Sequence, residues 1–211
     1  MLSFKRHLLP FLVLLALVSL NFISSSHAAD GGQASPQEMG KNVVGFKLGG
    51  YFPDSSELEN FDVGGHGEVS VQRNVSQYFG VGAAIGMFQM NNTTSAQVSQ
   101  GGTLTSVGID QTIRSTYLVL NATLMIPAGA FVPYVEGGGG LYFTNIEESS
   151  SLGSLSKDDT SFGYHAGAGL NWFFTKDYYI GLGGRYIWTE TNDTNIRLDG
   201  VQADVNLGVR F

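Results

Sequence analysis

VQADVNLGVRF, residues 201–211, places Val201, Ala203, Val205, Leu207, Val209 and Phe211 on one parity. Gln202, Asp204, Asn206, Gly208 and Arg210 fall on the other. Successive side chains of a strand point to opposite faces, so strict alternation predicts a strand with one apolar and one polar side. The same period recurs upstream in Val43–Phe52, Phe61–Arg73, Tyr78–Met90, Thr112–Ile126, Phe131–Asn145, Ser161–Phe174 and Tyr178–Glu190. With the last segment that makes eight strands, an even number. No sustained stripe of helical period follows residue 28.

The connections alternate in length. Asn74–Gln77, Pro127–Ala130 and Thr175–Asp177 are short. Pro53–Asn60, Asn91–Gln111, Ile146–Thr160 and Thr191–Gly200 are long and rich in Asn, Thr, Ser, Gly and acid. Short turns at one end and long loops at the other are expected of an all-β, eight-stranded, antiparallel up-and-down transmembrane β-barrel, whose tilted strands need about 9–11 residues to cross the bilayer. A soluble eight-stranded barrel or sandwich is the competing architecture, and the two differ in which face points inward. A membrane barrel turns its apolar face to lipid and its polar face to the lumen.

The polar set holds Lys47, Glu68, Glu136, Arg185, Asp204 and Arg210, opposite Phe46, Leu48, Val69, Val71, Val135, Leu141, Tyr186, Trp188, Val205 and Leu207. Charges of both signs on one face suit a closed interior where they pair. Expected pairs are Lys47 with Glu68, and Arg185 with Asp204 across the last hairpin. Aromatics on the apolar parity collect at the strand ends, with Phe79, Phe131, Phe174, Tyr178 and Phe211 by the short turns. Phe52, Phe61, Phe143, Phe162 and Trp188 lie by the long loops. Two such girdles mark the membrane interfaces.

EGGGG, residues 136–140, is then a strand segment and not a phosphate loop, because LYFTN after it supplies no helix N-terminus for an anion. Gly138 and Gly140 share the lumen parity of Tyr134, Glu136 and Tyr142. An eight-stranded barrel is just wide enough for side chains to fill it, so lumen glycines make room for bulky neighbours. Lipid-side Gly137 and Gly139 can accept an aromatic lying across them.

Residues 1–28 read as a cleaved secretory signal: Lys5 and Arg6, an apolar run from Leu8 to Leu20, and Ser26-His27-Ala28 before the cut. Residues 29–42 form a short polar lead and residues 43–211 the barrel domain. Loss of Lys5 and Arg6 leaves 9 basic residues against 18 acidic ones, net −9, which argues against nucleic acid as a partner. The chain has no cysteine, which excludes disulfides, thiol catalysis and thiolate metal sites. No cofactor-binding or metal-ligand spacing is legible.

The alternation ending in Val205, Leu207, Val209 and Phe211 resembles the C-terminal signal by which outer-membrane barrels are recognised by the assembly machinery. With PYVEGGGGLYF and eight strands, the chain is similar to the small outer-membrane barrels of the OmpA membrane domain, OmpX and OmpW type. That resemblance implies both termini in the periplasm, long loops outside the cell and contact with outer-membrane lipid and lipopolysaccharide; it implies no reaction. No peptidoglycan-binding domain of the OmpA kind is expected, since the chain stops at the last strand. The expected role is structural or surface-interacting, with the Asn91–Gln111 loop as the place for a surface ligand; its late alternation of Leu104, Val107 and Ile109 suggests strands that project beyond the bilayer. A narrow porter for small hydrophobic or ionic solutes is the second reading, and a lipid A-modifying enzyme a distant third. His66 and His165 share the lumen parity, and His66 with Glu68 and Ser70 makes the one conceivable catalytic set. The long loops carry Asp54, Glu57, Glu59, Glu147, Glu148, Asp158, Asp159, Glu190, Asp193 and Asp199 against little but Lys157 and Arg197. These acids are expected to be solvated, and Ca²⁺ or Mg²⁺ could bridge them to lipopolysaccharide phosphates.

Overall fold

A computed structural model describes residues 40–100, 103–150, 153–190 and 196–211. The expected signal and most of the polar lead lie outside the described residues. Eight strands close into one antiparallel barrel in chain order, β8 pairing back onto β1. They are β1 Asn42–Pro53, β2 Gly64–Asn74, β3 Phe79–Gln100, β4 Thr103–Met125, β5 Phe131–Ser150, β6 Gly153–Phe173, β7 Tyr178–Thr189 and β8 Gly200–Arg210. Closure leaves no sheet edge within the wall, as a lipid environment demands. The ends meet where Phe211 N–H donates to Asn42 O at 2.9 Å and Asn42 N–H donates to Phe211 O at 2.8 Å.

Along β8 the alternation resolves as read from the sequence. Val201, Val205 and Leu207 are exposed on the outer wall, while Gln202, Asp204, Asn206 and Arg210 are buried inside. The outer wall is apolar elsewhere too, with Phe46, Leu48, Val69, Leu120, Val135, Leu141, Leu170 and Leu182 exposed. Large apolar side chains facing out around a closed wall, with ions within, are the pattern of a membrane barrel and the inverse of a soluble one.

Three expectations about the elements are corrected. The second strand begins at Gly64, not Phe61, because Ser56–Leu58 form a 3-10 turn and Phe61 packs inward on the core below it. Phe61 therefore does not belong to an interfacial girdle. Asn91–Gln111 does carry its strands past the membrane, as its late alternation suggests, and Ile146–Thr160 is no loop either: β3 and β4 pair from Phe79↔Leu124 out to Gln100↔Thr103, and β5 and β6 out to Ser150↔Gly153. Finally, the lumen is polar only in part, since Tyr51, Phe88, Met90 and Ile113 are buried within it.

The strands fall into two lengths. β1, β2, β7 and β8 have 11 or 12 residues, whereas β3 to β6 have 20 to 23. The last β2–β3 pair is Gly65↔Gln89 and the first β6–β7 pair Gly163↔Thr189. Beyond those rows four strands continue as a sheet, rising about ten residues, or roughly 30 Å at ~3.3 Å per residue, above the barrel rim.

Candidate functional site in the lumen and on the projecting sheet

Inward-facing glycines shape the interior. The Tyr117 ring occupies the space a side chain on Gly86 would need, and the Tyr142 ring does the same at Gly163. At Gly139 on the outer wall the Phe162 ring stands 3.3 Å from where a Cβ would lie. The EGGGG strand thus admits an aromatic on its lipid side, and on its lumen side Gly138 lets the His165 ring approach, 2.9 Å from where a Cβ would lie.

At mid-lumen, β1, β2, β5 and β7 bring together Lys47, Glu68, Glu136 and Arg185. Lys47 Nζ lies 3.5 Å from Glu68 Oε1 and 3.0 Å from Glu136 Oε1. Arg185 Nη2 lies 2.5 Å from Glu68 Oε2, and Arg185 Nη1 4.0 Å from Glu136 Oε1. Tyr117 Oη donates to Glu68 Oε2 at 2.9 Å and accepts from Arg185 Nη2 at 2.8 Å. Its one proton is committed to Glu68, so His66 Nε2, 2.7 Å away, donates to the same oxygen. Arg185 Nε donates to Gln202 Oε1 at 2.6 Å. Each of these four charges has an opposite partner, which the cost of an isolated buried ion requires.

The pair Lys47–Glu68 forms as expected from register, where the two are direct neighbours. Arg185–Asp204 does not. The β7–β8 register sets Arg185 against Gln202 and Asp204 against Gly183, and the long guanidinium crosses the lumen to Glu68 and Glu136. Parity places a side chain inside, but the stagger between strands decides which opposite wall it reaches. Arg210 also stands apart from the mid-lumen cluster: near the short turns it donates to the Lys176 carbonyl, its guanidinium 5.4 Å from the Phe173 ring centroid. The sequence reading did not single out Tyr117, although its lumen parity and aromatic hydroxyl mark it as a hydrogen-bonding filler.

Above the ions the lumen turns apolar. Tyr51, Phe88, Met90, Ile113, Tyr142 and Ile187 are fully buried there, with Leu58 and Leu198 closing the top. Tyr51 stacks on Phe88 with ring centroids 4.2 Å apart. The two segments that carry Leu58 and Leu198 are bonded to each other and to the rim. Ser55 Oγ donates to Arg197 O at 2.7 Å, and Asp54 N–H donates to Asp199 O at 2.9 Å. Asp199 is no solvated loop acid: it is buried, accepts from Thr189 N–H at 2.8 Å and pairs with Arg197 at 2.5 Å. Below the ions a cavity of about 60 Å³, bordered by Lys47, Glu136, Tyr134, Asn171 and Asn206, lies toward the short turns.

The projecting sheet is held by polar ladders. Thr93 donates to Asp110 at 2.9 Å, Thr112 to Asn91 at 3.1 Å, Asn145 to Asp158 at 2.8 Å and Gln111 to Glu148 at 3.3 Å. The acids Glu147, Glu148, Asp158 and Asp159 ride on these strands and not on loops.

A closed eight-stranded wall, greasy outside and ionic within, is that of an outer-membrane-type β-barrel. The family described as outer membrane protein beta-barrel domain matches residues 13–211, and the chain belongs to it. Localisation in the outer membrane follows from that membership. No curated protein matches the chain by sequence. Among solved structures, the outer membrane protein OprG of Pseudomonas aeruginosa is 14% identical, with TM-score 0.56, covering 86% of this chain and 99% of its own. Neisserial surface protein A is 16% identical with TM-score 0.53, over 81% and 97% of the two chains. Ail, the attachment invasion locus protein of Yersinia pestis, is 16% identical with TM-score 0.50, over 82% and 99%. At such identities the likeness is one of fold.

Proposed function

We propose that this barrel is a surface-interaction protein without catalysis, its lumen a closed scaffold and its projecting sheet the binding element. The observation that carries the reading is the length difference between β3–β6 and the other four strands. Strands that only cross the membrane need no such extension, and a rigid base that displays polar groups is how binding surfaces are commonly built. Glu147, Glu148, Asp158, Asp159 and Asp110 outnumber Lys157 and Arg114 on the sheet, so the partner it suits is a basic protein surface. Similar barrels include a surface protein and an attachment protein by name, which fits this reading.

The lumen supports the scaffold role: the ion cluster and the apolar plug stand in series across it, which disfavours a solute path along the axis. His66 is tied to Tyr117 within the wall, away from lipid, which disfavours lipid chemistry. We further propose export with cleavage after Ala28, and recognition of Val205, Leu207, Val209 and Phe211 by the barrel-assembly machinery.

The test is a variant in which Ser95–Gly108 is replaced by an Asn-Gly turn, joining the paired residues Thr94 and Ile109. Phosphatidylcholine vesicles carrying the intact protein should bind polylysine-coated beads and not polyglutamate-coated ones. The shortened barrel, combined with amides at Glu147, Glu148, Asp158 and Asp159, should lose at least about tenfold of that binding while remaining folded, since close charge pairs across an interface carry over a kcal/mol each. Equal binding by both proteins would overturn the reading.

A further inference from the structure

At mid-lumen the charges do not balance. Lys47 and Arg185 each face Glu68 and Glu136, which makes two cations against two carboxylates. Asp204 is a third carboxylate inside the wall, 7% exposed, with Oδ1 unpartnered among the described residues. Arg210 lies six residues further along β8, about 20 Å away at ~3.3 Å per residue. Neither histidine forms a bond to Asp204, and His165 keeps both ring nitrogens without a partner. One negative charge is left over in a place where an uncompensated ion is costly.

Around Asp204 the oxygens converge. Asn206, 3% exposed, and Asn171 each hold a buried Oδ1 that accepts no hydrogen bond. Both of these oxygens crowd the point where a Cβ on Gly181 would stand, so they face each other across that glycine. Asn206 Nδ2 donates to Tyr134 Oη at 3.2 Å, which fixes the amide with its oxygen turned toward Gly181. One residue pair along β7, the point for a Cβ on Gly183 lies 3.1 Å from Asp204 Oδ1 and 2.7 Å from Tyr134 Oη. Two inward glycines thus leave a cradle lined by these oxygens, with Asn206 Nδ2 3.6 Å from the Gly183 point. Two amide oxygens face to face with a carboxylate beside them repel one another unless a hydrogen-bond donor or a cation lies between.

We propose that this cradle binds one monovalent cation of the Na⁺ or K⁺ type, held by Asp204, Asn206 and Asn171 with Tyr134 beside them. The donors are hard oxygens, which suit alkali and alkaline-earth ions and not the softer transition metals. The local charge count selects between the first two classes: among the mid-lumen groups Lys47, Arg185, Glu68, Glu136 and Asp204 a single positive charge restores neutrality, whereas Ca²⁺ or Mg²⁺ carries that group to +1. Asn171, Asn206 and Tyr134 also border the cavity of about 60 Å³ on the short-turn side, so the ion enters from the periplasm. Water alone satisfies the oxygens but leaves the charge.

Two measurements on the whole barrel in detergent test this. Thermal unfolding is followed in NaCl, KCl, CaCl₂ and N-methylglucamine chloride at equal ionic strength. The midpoint should fall by about 5 °C when the bulky organic cation replaces Na⁺ or K⁺, and Ca²⁺ should not restore it. Asp204→Asn should abolish the difference and, in the organic cation, unfold at a higher temperature than the parent. Crystals soaked in RbCl should show anomalous density between Asp204, Asn206 and Asn171. A midpoint that ignores the salt, rescue by Ca²⁺ in preference to Na⁺, or rubidium absent from that position would each overturn the proposal.

Discussion

Glu68 serves three partners at once: Arg185 at 2.5 Å, Tyr117 at 2.9 Å and Lys47 at 3.5 Å. Removing it strands a fully buried guanidinium, so Glu68→Ala should destabilise the barrel by about 3–5 kcal/mol. Urea unfolding in lipid vesicles reads this directly, and an unchanged midpoint would show that the cluster bears little on stability. A second prediction concerns space and not charge. Gly86→Val puts a side chain where the Tyr117 ring lies, with the Gly67 carbonyl only 2.8 Å from the new Cβ. Overpacking of that kind should cost about 1–3 kcal/mol, and a variant as stable as the parent would show that Tyr117 swings aside freely. The membership of Lys47, Glu68, Glu136 and Arg185 in one interior was legible because parity alone assigns the face. Their pairing was legible only where two strands are direct neighbours, as for Lys47 and Glu68. Arg185 missed its expected partner because the reach of a long side chain across a lumen depends on strand stagger.

At the scale of the element, β8 carries the clearest signal. Leu207 is half exposed on the outer wall. Leu207→Arg should cost about 2–4 kcal/mol in lipid if that wall faces the hydrocarbon, read as a lower urea midpoint and a smaller folded fraction on unboiled gels. No penalty would contradict the orientation. The hairpin extensions behave differently. Replacing Ser95–Gly108 by Asn-Gly removes only residues beyond the last β2–β3 pair, and the unfolding free energy of the shortened protein should stay within about 0.5 kcal/mol of the parent, as changes away from core contacts usually do. Only part of these extensions is legible in the sequence: Leu104, Val107 and Ile109 hint at a projecting strand, but Asn91–Gln100 (NNTTSAQVSQ) and Ile146–Thr160 have little apolar periodicity. A strand standing in water on both faces has no apolar face to declare, and its pairing comes from cross-strand hydrogen bonds that no period reports. The 3-10 turn at Ser56–Leu58 was missed for a related reason: three residues make too short a run for any period.

On the scale of the whole molecule, the barrel is sealed twice, by ion pairs at mid-lumen and by an apolar plug toward the long loops. Planar bilayers with the purified protein should therefore show no steady conductance, and Phe88→Ala with Met90→Ala should raise brief openings before any stable pore. A steady conductance in the parent would displace the scaffold reading in favour of a porter. The sequence by itself determined the strand number, the inside and outside of each strand and the membrane address, because a period of two and a bilayer's thickness are properties of single segments. Only the tertiary structure decided which charges meet, that apolar side chains cap the lumen, and that Ile146–Thr160 also continues as sheet beside the β3–β4 extension. Those depend on register and stagger among strands far apart in the chain, which local pattern does not encode.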